Sequence, residues 1–189
     1  MEPPEALKDF IEELTQYKNW KATDSVWHFV NQLKDSFRSY LGSNYFVDTF
    51  TIQKDPSTVF CLFFFSSHIK GFEKMLEAKW EIDTEEGKGW NFKGNNPSLF
   101  FEQRTNNLED SLKVFIGTNS KTNGEIYEFT LRSGYLPKHT NEILYNWQQS
   151  GSLQLKSIKG EKIRKGAFYV SYNYFKDLNN RQKVEFRLN

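Results

Sequence analysis

TNGEIYEFTLRSGYLPKHTNEILYNWQQSG, residues 122–151, decides how this chain is read. Thr122 and Asn123 are capping residues for a helix that runs through Ile126, Phe129 and Leu131 to Ser133. Gly134 ends it. After Tyr135-Leu136, Pro137 opens a second helix with Ile143, Leu144 and Trp147 on its apolar side, stopping at Ser150-Gly151. A tight, glycine-containing turn between two helices is the signature of a helix-turn-helix. Working outward, Leu108 to Ile116 predicts a preceding helix, and Leu153-Gln154-Leu155 a following strand. A basic turn, Lys156 to Lys165, then leads to an expected second strand, Gly166 to Tyr172. Helix, helix, turn, helix, hairpin is the order of a winged helix-turn-helix, expected over residues 108–189.

Upstream the pattern changes. Glu2 to Trp20 reads as a short helix with Ala6, Phe10, Ile11 and Leu14 on one stripe. A second helix is capped by Thr23 or Asp24, carries Val26, Val30, Leu33, Phe37 and Tyr40, and closes at Gly42. Tyr45 to Ile52 and Thr58 to Phe65 read as an antiparallel hairpin around Lys54-Asp55-Pro56-Ser57. Residues 59–65 are all apolar, so this strand is expected to be covered on both faces. Ile69 to Asp83 predicts a helix with Phe72, Met75, Leu76 and Trp80 on one stripe. The polar segment Glu85 to Pro97 reads as loop, with a short hairpin at Gly89-Trp90-Asn91-Phe92. The fold class is therefore α+β: a small α/β domain over 1–95, a boundary near 95–107, then the winged domain.

Composition excludes several classes. Aromatic content of 17% supplies core volume despite only 38% hydrophobic residues, so the chain reads as globular. No apolar run is long enough to span a bilayer, and the charged start, MEPPEALKDF, is not a signal peptide. The single cysteine, Cys61, precludes an intramolecular disulfide, and a reducing cytoplasm is the expected location. Net charge is +1, yet Leu136 to Asn189 carries ten Lys/Arg against four Asp/Glu. A basic module beside an acidic remainder points to division of labour.

The candidate site is a binding surface. In this fold the third helix reads base edges from its N-terminal residues. Here those are Lys138, His139, Thr140, Asn141 and Glu142, with Tyr145 and Asn146 one turn on. The wing offers Lys156, Lys159, Lys162, Arg164 and Lys165 against Glu161, a phosphate clamp in composition. The expected nucleic-acid contacts are Lys138, His139, Asn141, Tyr145, Lys156, Lys159, Lys162, Arg164 and Lys165, with DNA ahead of RNA as the target. Two alternatives stand beside this one. Winged domains also serve as protein–protein adaptors, with Tyr135, Tyr145 and Tyr169 as anchors. A degenerate methyltransferase-like enzyme is the third.

Catalytic signals are weak, and no catalytic residue, metal site or cofactor is expected. His28, His68 and His139 lie on separate elements without metal-ligand spacing. Glu86-Gly87-Lys88 matches a nuclease E-x-K triplet by composition alone, and Gly87-Lys88-Gly89 lacks the phosphate-loop spacing. Cys61 sits among phenylalanines as a small apolar residue. Ser67 and His68 are adjacent, without a third group to orient them.

Two stretches together resemble a known family. One is Phe63-Phe64-Phe65-Ser66-Ser67-His68-Ile69-Lys70-Gly71-Phe72-Glu73-Lys74-Met75, continuing to Lys79-Trp80-Glu81-Ile82-Asp83. The other is Thr122-Asn123-Gly124-Glu125, Gly134-Tyr135-Leu136-Pro137-Lys138-His139 and Arg164-Lys165-Gly166-Ala167-Phe168-Tyr169. The combination resembles the C-terminal half of the three-Cys-motif partner proteins, over most of residues 23–175. The resemblance implies a longer relative with an N-terminal Rossmann-like, methyltransferase-type part, of which the hairpin here is the remnant. This chain has no glycine-rich first strand–helix turn, so no cofactor site carries over. The resemblance further implies a phage- or mobile-element-linked defence or modification setting, and a partner resembling radical-SAM iron–sulfur proteins. The two-faced strand, through Phe60, Leu62 and Phe64, is then expected to pair with a second chain or a second copy.

Overall fold

The computed structural model describes residues 9, 12–13, 26–55, 57–84, 87, 89–91, 104–117, 119–175 and 182–189. Asp9, Glu12 and Glu13 are helical; the rest of the expected first helix and the caps at Thr23 and Asp24 lie outside the described residues. The elements are α1 (Val26–Leu41), β1 (Phe46–Gln53), β2 (Val59–Ser66), α2 (Ile69–Ile82), β3 (Gly89–Asn91), α3 (Arg104–Ile116), β4 (Lys121–Thr122), α4 (Asn123–Arg132), α5 (Pro137–Ser150), β5 (Leu153–Ser157), a 3-10 turn (Tyr172–Tyr174) and β6 (Val184–Leu188). The fold is α+β. It divides into two compact units, 1–72 with 88–94, and 73–87 with 95–189.

In the first unit the expected hairpin forms, with Phe46 opposite Ser66 and Gln53 opposite Val59. Helix α1 lies on one face of the sheet. Phe37 meets Phe63 and Phe65 edge-on at 5.5 and 5.0 Å, and Arg38 Nε donates to the Val47 carbonyl at 3.0 Å. Phe46 stacks on Phe72 at 5.3 Å.

The strand order is β2-β1-β3, so the doubly buried strand is β1 and β2 is an edge among the described residues. Phe60 and Leu62 are 53% and 46% exposed on one face, Phe65 is 49% exposed on the other, and Phe64 is half-buried. The all-apolar strand is thus not covered on both faces. The buried strand is the one with alternating polarity, and it takes Asp48, Thr49 and Thr51 inside with it. Of the expected hairpin at residues 89–92, Gly89–Asn91 form β3, which pairs parallel to β1 with Ile52 opposite Trp90, and Phe92 lies outside the described residues.

The second unit is built around α3, α4 and α5. Leu108, Leu112 and Ile116 bury one stripe of α3, Ile126, Tyr127 and Leu131 one side of α4, and Ile143, Leu144 and Trp147 one side of α5. The later residues of α2 belong to this unit, ahead of the segment 95–107 where the sequence placed a boundary. Glu73 accepts a hydrogen bond from the buried Tyr127 hydroxyl at 3.0 Å. Burial and the neighbouring Glu73 carboxylate hold that phenol well above its usual range. Trp80 Nε1 donates to the Gly134 carbonyl at 2.9 Å. Gly87 closes α2 with φ +58°, donating to the Asp83 carbonyl; a Cβ there would stand 2.7 Å from the Trp80 ring.

The wing differs from the expected hairpin. Residues 166–172 form no strand. The partner of β5 is β6, Leu153 opposite Leu188 and Ser157 opposite Val184, and β4 pairs the other edge of β6. The sheet order is therefore β4-β6-β5. Phe168 and Val170 are buried instead in irregular backbone.

One side chain joins these pieces. Asn123, wholly buried at the start of α4, donates from Nδ2 to the carbonyls of Tyr169 (3.2 Å) and Tyr174 (2.9 Å). Its Oδ1 accepts from the backbone N–H of Lys183 (2.8 Å) and Val184 (3.3 Å). Thr122 and Glu125 form a reciprocal capping box around it. Gly124 lets the chain approach, because a Cβ there would stand 2.8 Å from the Phe175 carbonyl oxygen. Removing the amide takes a hydrogen-bond partner from four buried or half-buried backbone groups, of which the Tyr169 carbonyl keeps the Ser171 N–H. Asn123→Ala is expected to destabilise the winged unit by about 3 kcal/mol. The urea midpoint should fall with little change in slope; an unchanged midpoint would refute the clamp.

Candidate functional site

Helix α5 separates two faces by its 3.6-residue period. Thr140, Ile143, Leu144 and Trp147 face the core, while Lys138, Glu142, Tyr145, Asn146 and Gln149 are exposed. The inner face is pinned by polar contacts. The Thr130 hydroxyl donates to the Ile126 carbonyl at 2.7 Å, so in its 2.7 Å contact with Thr140 the donor is Thr140. Trp147 Nε1 donates to Glu109 at 2.8 Å, and Lys113 pairs with the same carboxylate at 3.0 Å. The Trp147 hydrogen bond, then Lys113, holds the Glu109 carboxyl below its ordinary value. These contacts fix which side of the helix is outward.

The turn before α5 is fixed with equal care. Leu136 supplies no hydroxyl cap, and Pro137 removes one N–H that would otherwise lack a partner. His139 completes the turn. Its ring Nδ1 accepts from the Leu136 N–H at 3.1 Å, and its backbone N–H donates to the Leu136 carbonyl at 3.0 Å. The ring lies 4.2 Å from that of Trp80 and 6.0 Å from that of Tyr135. Of the expected base readers, His139 is thus half-buried and engaged in the helix start rather than presented outward. Asn141 is half-buried, with its Oδ1 buried and without a hydrogen-bond partner among the described residues. Lys138 and Tyr145 are exposed as the sequence led us to expect.

All five wing cations are exposed. Lys156 stands opposite Glu185 on β6, while Lys159, Lys162, Arg164 and Lys165 occupy the loop beyond β5. That loop is held at both ends. The Glu161 N–H donates to Ser157 Oγ at 3.0 Å near the start. At the far end the Gly166 N–H donates to Gln148 Oε1, and Lys165 Nζ to Gln149 Oε1, both at 2.9 Å. The structure therefore brings the last turn of α5 and the basic loop side by side. Sequence reasoning missed both glutamines, because a neutral amide in a last helical turn carries no signal of its own. It also missed β6, although Val184, Phe186 and Leu188 alternate with Glu185 and Arg187.

Among the described residues no group of His, Cys, Asp and Glu is placed to hold a metal ion, and no helix is long and apolar enough to cross a membrane. Glu86 and Lys88 of the E-x-K triplet lie outside the described residues.

Residues 81–160 match the family described as the GMT-like wHTH domain, so this region is a winged helix-turn-helix, a fold that binds nucleic acid or protein. No curated protein and no solved structure matches the chain.

The His139 ring carries a pH dependence. Burial, and secondarily Lys138, lower its pKa from 6.5 to about 4. An Nδ1 that accepts from Leu136 N–H requires the neutral ring, which agrees in sign. Below pH 6.5 the unfolded chain takes up a proton that the folded chain does not. Stability is therefore full above pH 6.5, is lost as pH falls, and levels off below about 4. Allowing for partial exposure, the loss is about 2 kcal/mol. Unfolding of wild type and His139→Gln at several pH values checks this; parallel pH profiles would contradict it.

Proposed function

We propose that this chain is an accessory DNA-binding subunit, its winged unit engaging a duplex and its β2 edge docking a second chain. The observation that carries the reading is the junction of the outward face of α5 with the basic loop through Gln148 and Gln149. Lys138 and Tyr145 on the helix, and Lys159, Lys162, Arg164 and Lys165 on the loop, give base-facing and phosphate-facing groups on adjoining elements. A helix face of this kind fits the major groove of B-form DNA; the deep, narrow major groove of A-form RNA does not admit it. Glu142 lies on the same face and accepts hydrogen bonds only, which suits a cytosine amino group and repels phosphate.

The second half of the reading rests on β2. Phe60 and Leu62 lie exposed on β2, an edge strand among the described residues that carries no lysine, proline or charge. Such an edge is a template for another strand. The chemistry then belongs to the second chain. A cytoplasmic defence or modification system linked to phage or mobile elements, with a three-cysteine, radical-SAM-like protein as that chain, is the setting that the sequence resemblance supports.

Fluorescence anisotropy with a short duplex and its single strands tests the first half. Affinity for the duplex is expected to fall steeply between about 50 and 200 mM salt. Lys162→Glu/Arg164→Glu is expected to weaken it and to reduce the salt slope by about 2. Absence of binding at low salt would favour a protein adaptor instead. Light scattering tests the second half: self-association that Leu62→Lys abolishes, or capture of a second strand at that edge, is expected. A chain that stays monomeric and binds nothing through β2 would remove it.

A further inference from the structure

The wing is not a free basic loop, and its attachment uses two adjacent amides of α5. Gln148 Oε1 accepts a hydrogen bond from the backbone N–H of Gly166, and Gln149 Oε1 accepts one from the Lys165 ammonium, each at 2.9 Å. Gly166, at φ +77°, sits in a turn closed by the Ala167 N–H donating to the Arg164 carbonyl at 3.0 Å. Immediately beyond it, Phe168 is buried against the ring of Phe186 at 6.4 Å. The Arg164 backbone is therefore fixed through Gly166 to α5, and the loop's start is fixed through Ser157.

We infer that Gln148 and Gln149 are positioning residues that lock the wing to the recognition helix, so that a duplex meets one pre-assembled surface. This rests on the DNA-binding reading above. The residue type matters. A glutamine holds the Lys165 ammonium through one hydrogen bond and leaves its full charge, with two further N–H donors, for a phosphate. A glutamate at the same place would hold it more tightly and cancel the charge. Gln148 contributes no charge at all; its effect is on the freedom of the loop, and ordering a released loop on binding costs affinity.

The two roles give different signatures. Gln148→Ala is expected to speed hydrogen exchange at the Gly166 amide and to weaken duplex binding about three- to tenfold. Its salt slope should be unchanged, because the phosphate contacts remain. Gln149→Glu is expected to keep the loop ordered, yet to weaken binding with a salt slope lower by about 1. Gln154→Ala, on the exposed side of β5, should match wild type in all three readings. Amide exchange of the free chain and anisotropy across salt, on wild type and these variants, decide the matter. Unchanged Gly166 exchange in Gln148→Ala, or unchanged affinity, overturns the lock and leaves the DNA reading standing. A wild-type chain that binds no duplex overturns that reading itself, whatever the exchange rates.

Discussion

The four hydrogen bonds of Asn123 are the constraint on which the winged unit depends. The residue sits at the start of a helix, where backbone N–H groups lack intrahelical partners, and capping by Thr122 and Glu125 leaves the Asn123 amide free for the interior. Its two ends then hold different parts of the chain, 169–174 on one side and 183–184 on the other. Those parts bracket the segment that returns the chain from the wing to β6. Tyr169 needs such an anchor, because a non-glycine residue at φ +55° is strained and must be held by its surroundings. Its carbonyl is held by Asn123 and by the Ser171 N–H at 3.1 Å.

From that anchor the geometry of the outer surface follows. β6 lies between β4 and β5, so the wing's base is a strand tied back to the helix-turn-helix rather than a hairpin standing alone. The loop between β5 and the buried Phe168 is then short of freedom at its base, and the two glutamines of α5 take up its far end. On the other flank, Trp80 and His139 fix the turn that aims α5. Each device uses a neutral polar group or an aromatic ring. Lys138 and the five wing cations are left exposed, where a polyanion would meet them.

From Val26 onward the sequence carried the order and type of the described helices well. Capping residues at Thr122, Pro137 at a helix start and Gly134 and Gly151 at helix ends are local chemistry, and the structure keeps each where its physics puts it. What it did not carry was pairing. The run 59–65, apolar throughout, predicts cover on both faces, yet the strand buried on both faces is β1, whose polar Asp48, Thr49 and Thr51 are buried. Apolar content reports what a strand tolerates, not which neighbours it has. Residues 166–172 looked like a strand for the same reason, whereas their apolar members are buried from irregular backbone held by Asn123. The exposed basic residues of the wing and Lys138 and Tyr145 were legible. The engagement of His139 was not, because Trp80, its packing partner, lies far away in the chain.

The central claim is that one surface, made of α5 and the basic loop together, receives a DNA duplex. The most direct measurement is amide chemical-shift mapping of the isotope-labelled chain titrated with a short duplex at low salt. The account predicts that amides along the exposed side of 138–149 and through 156–166 shift together with one binding curve. Shifts in neither segment, or confined to β2 and its neighbours, would contradict it.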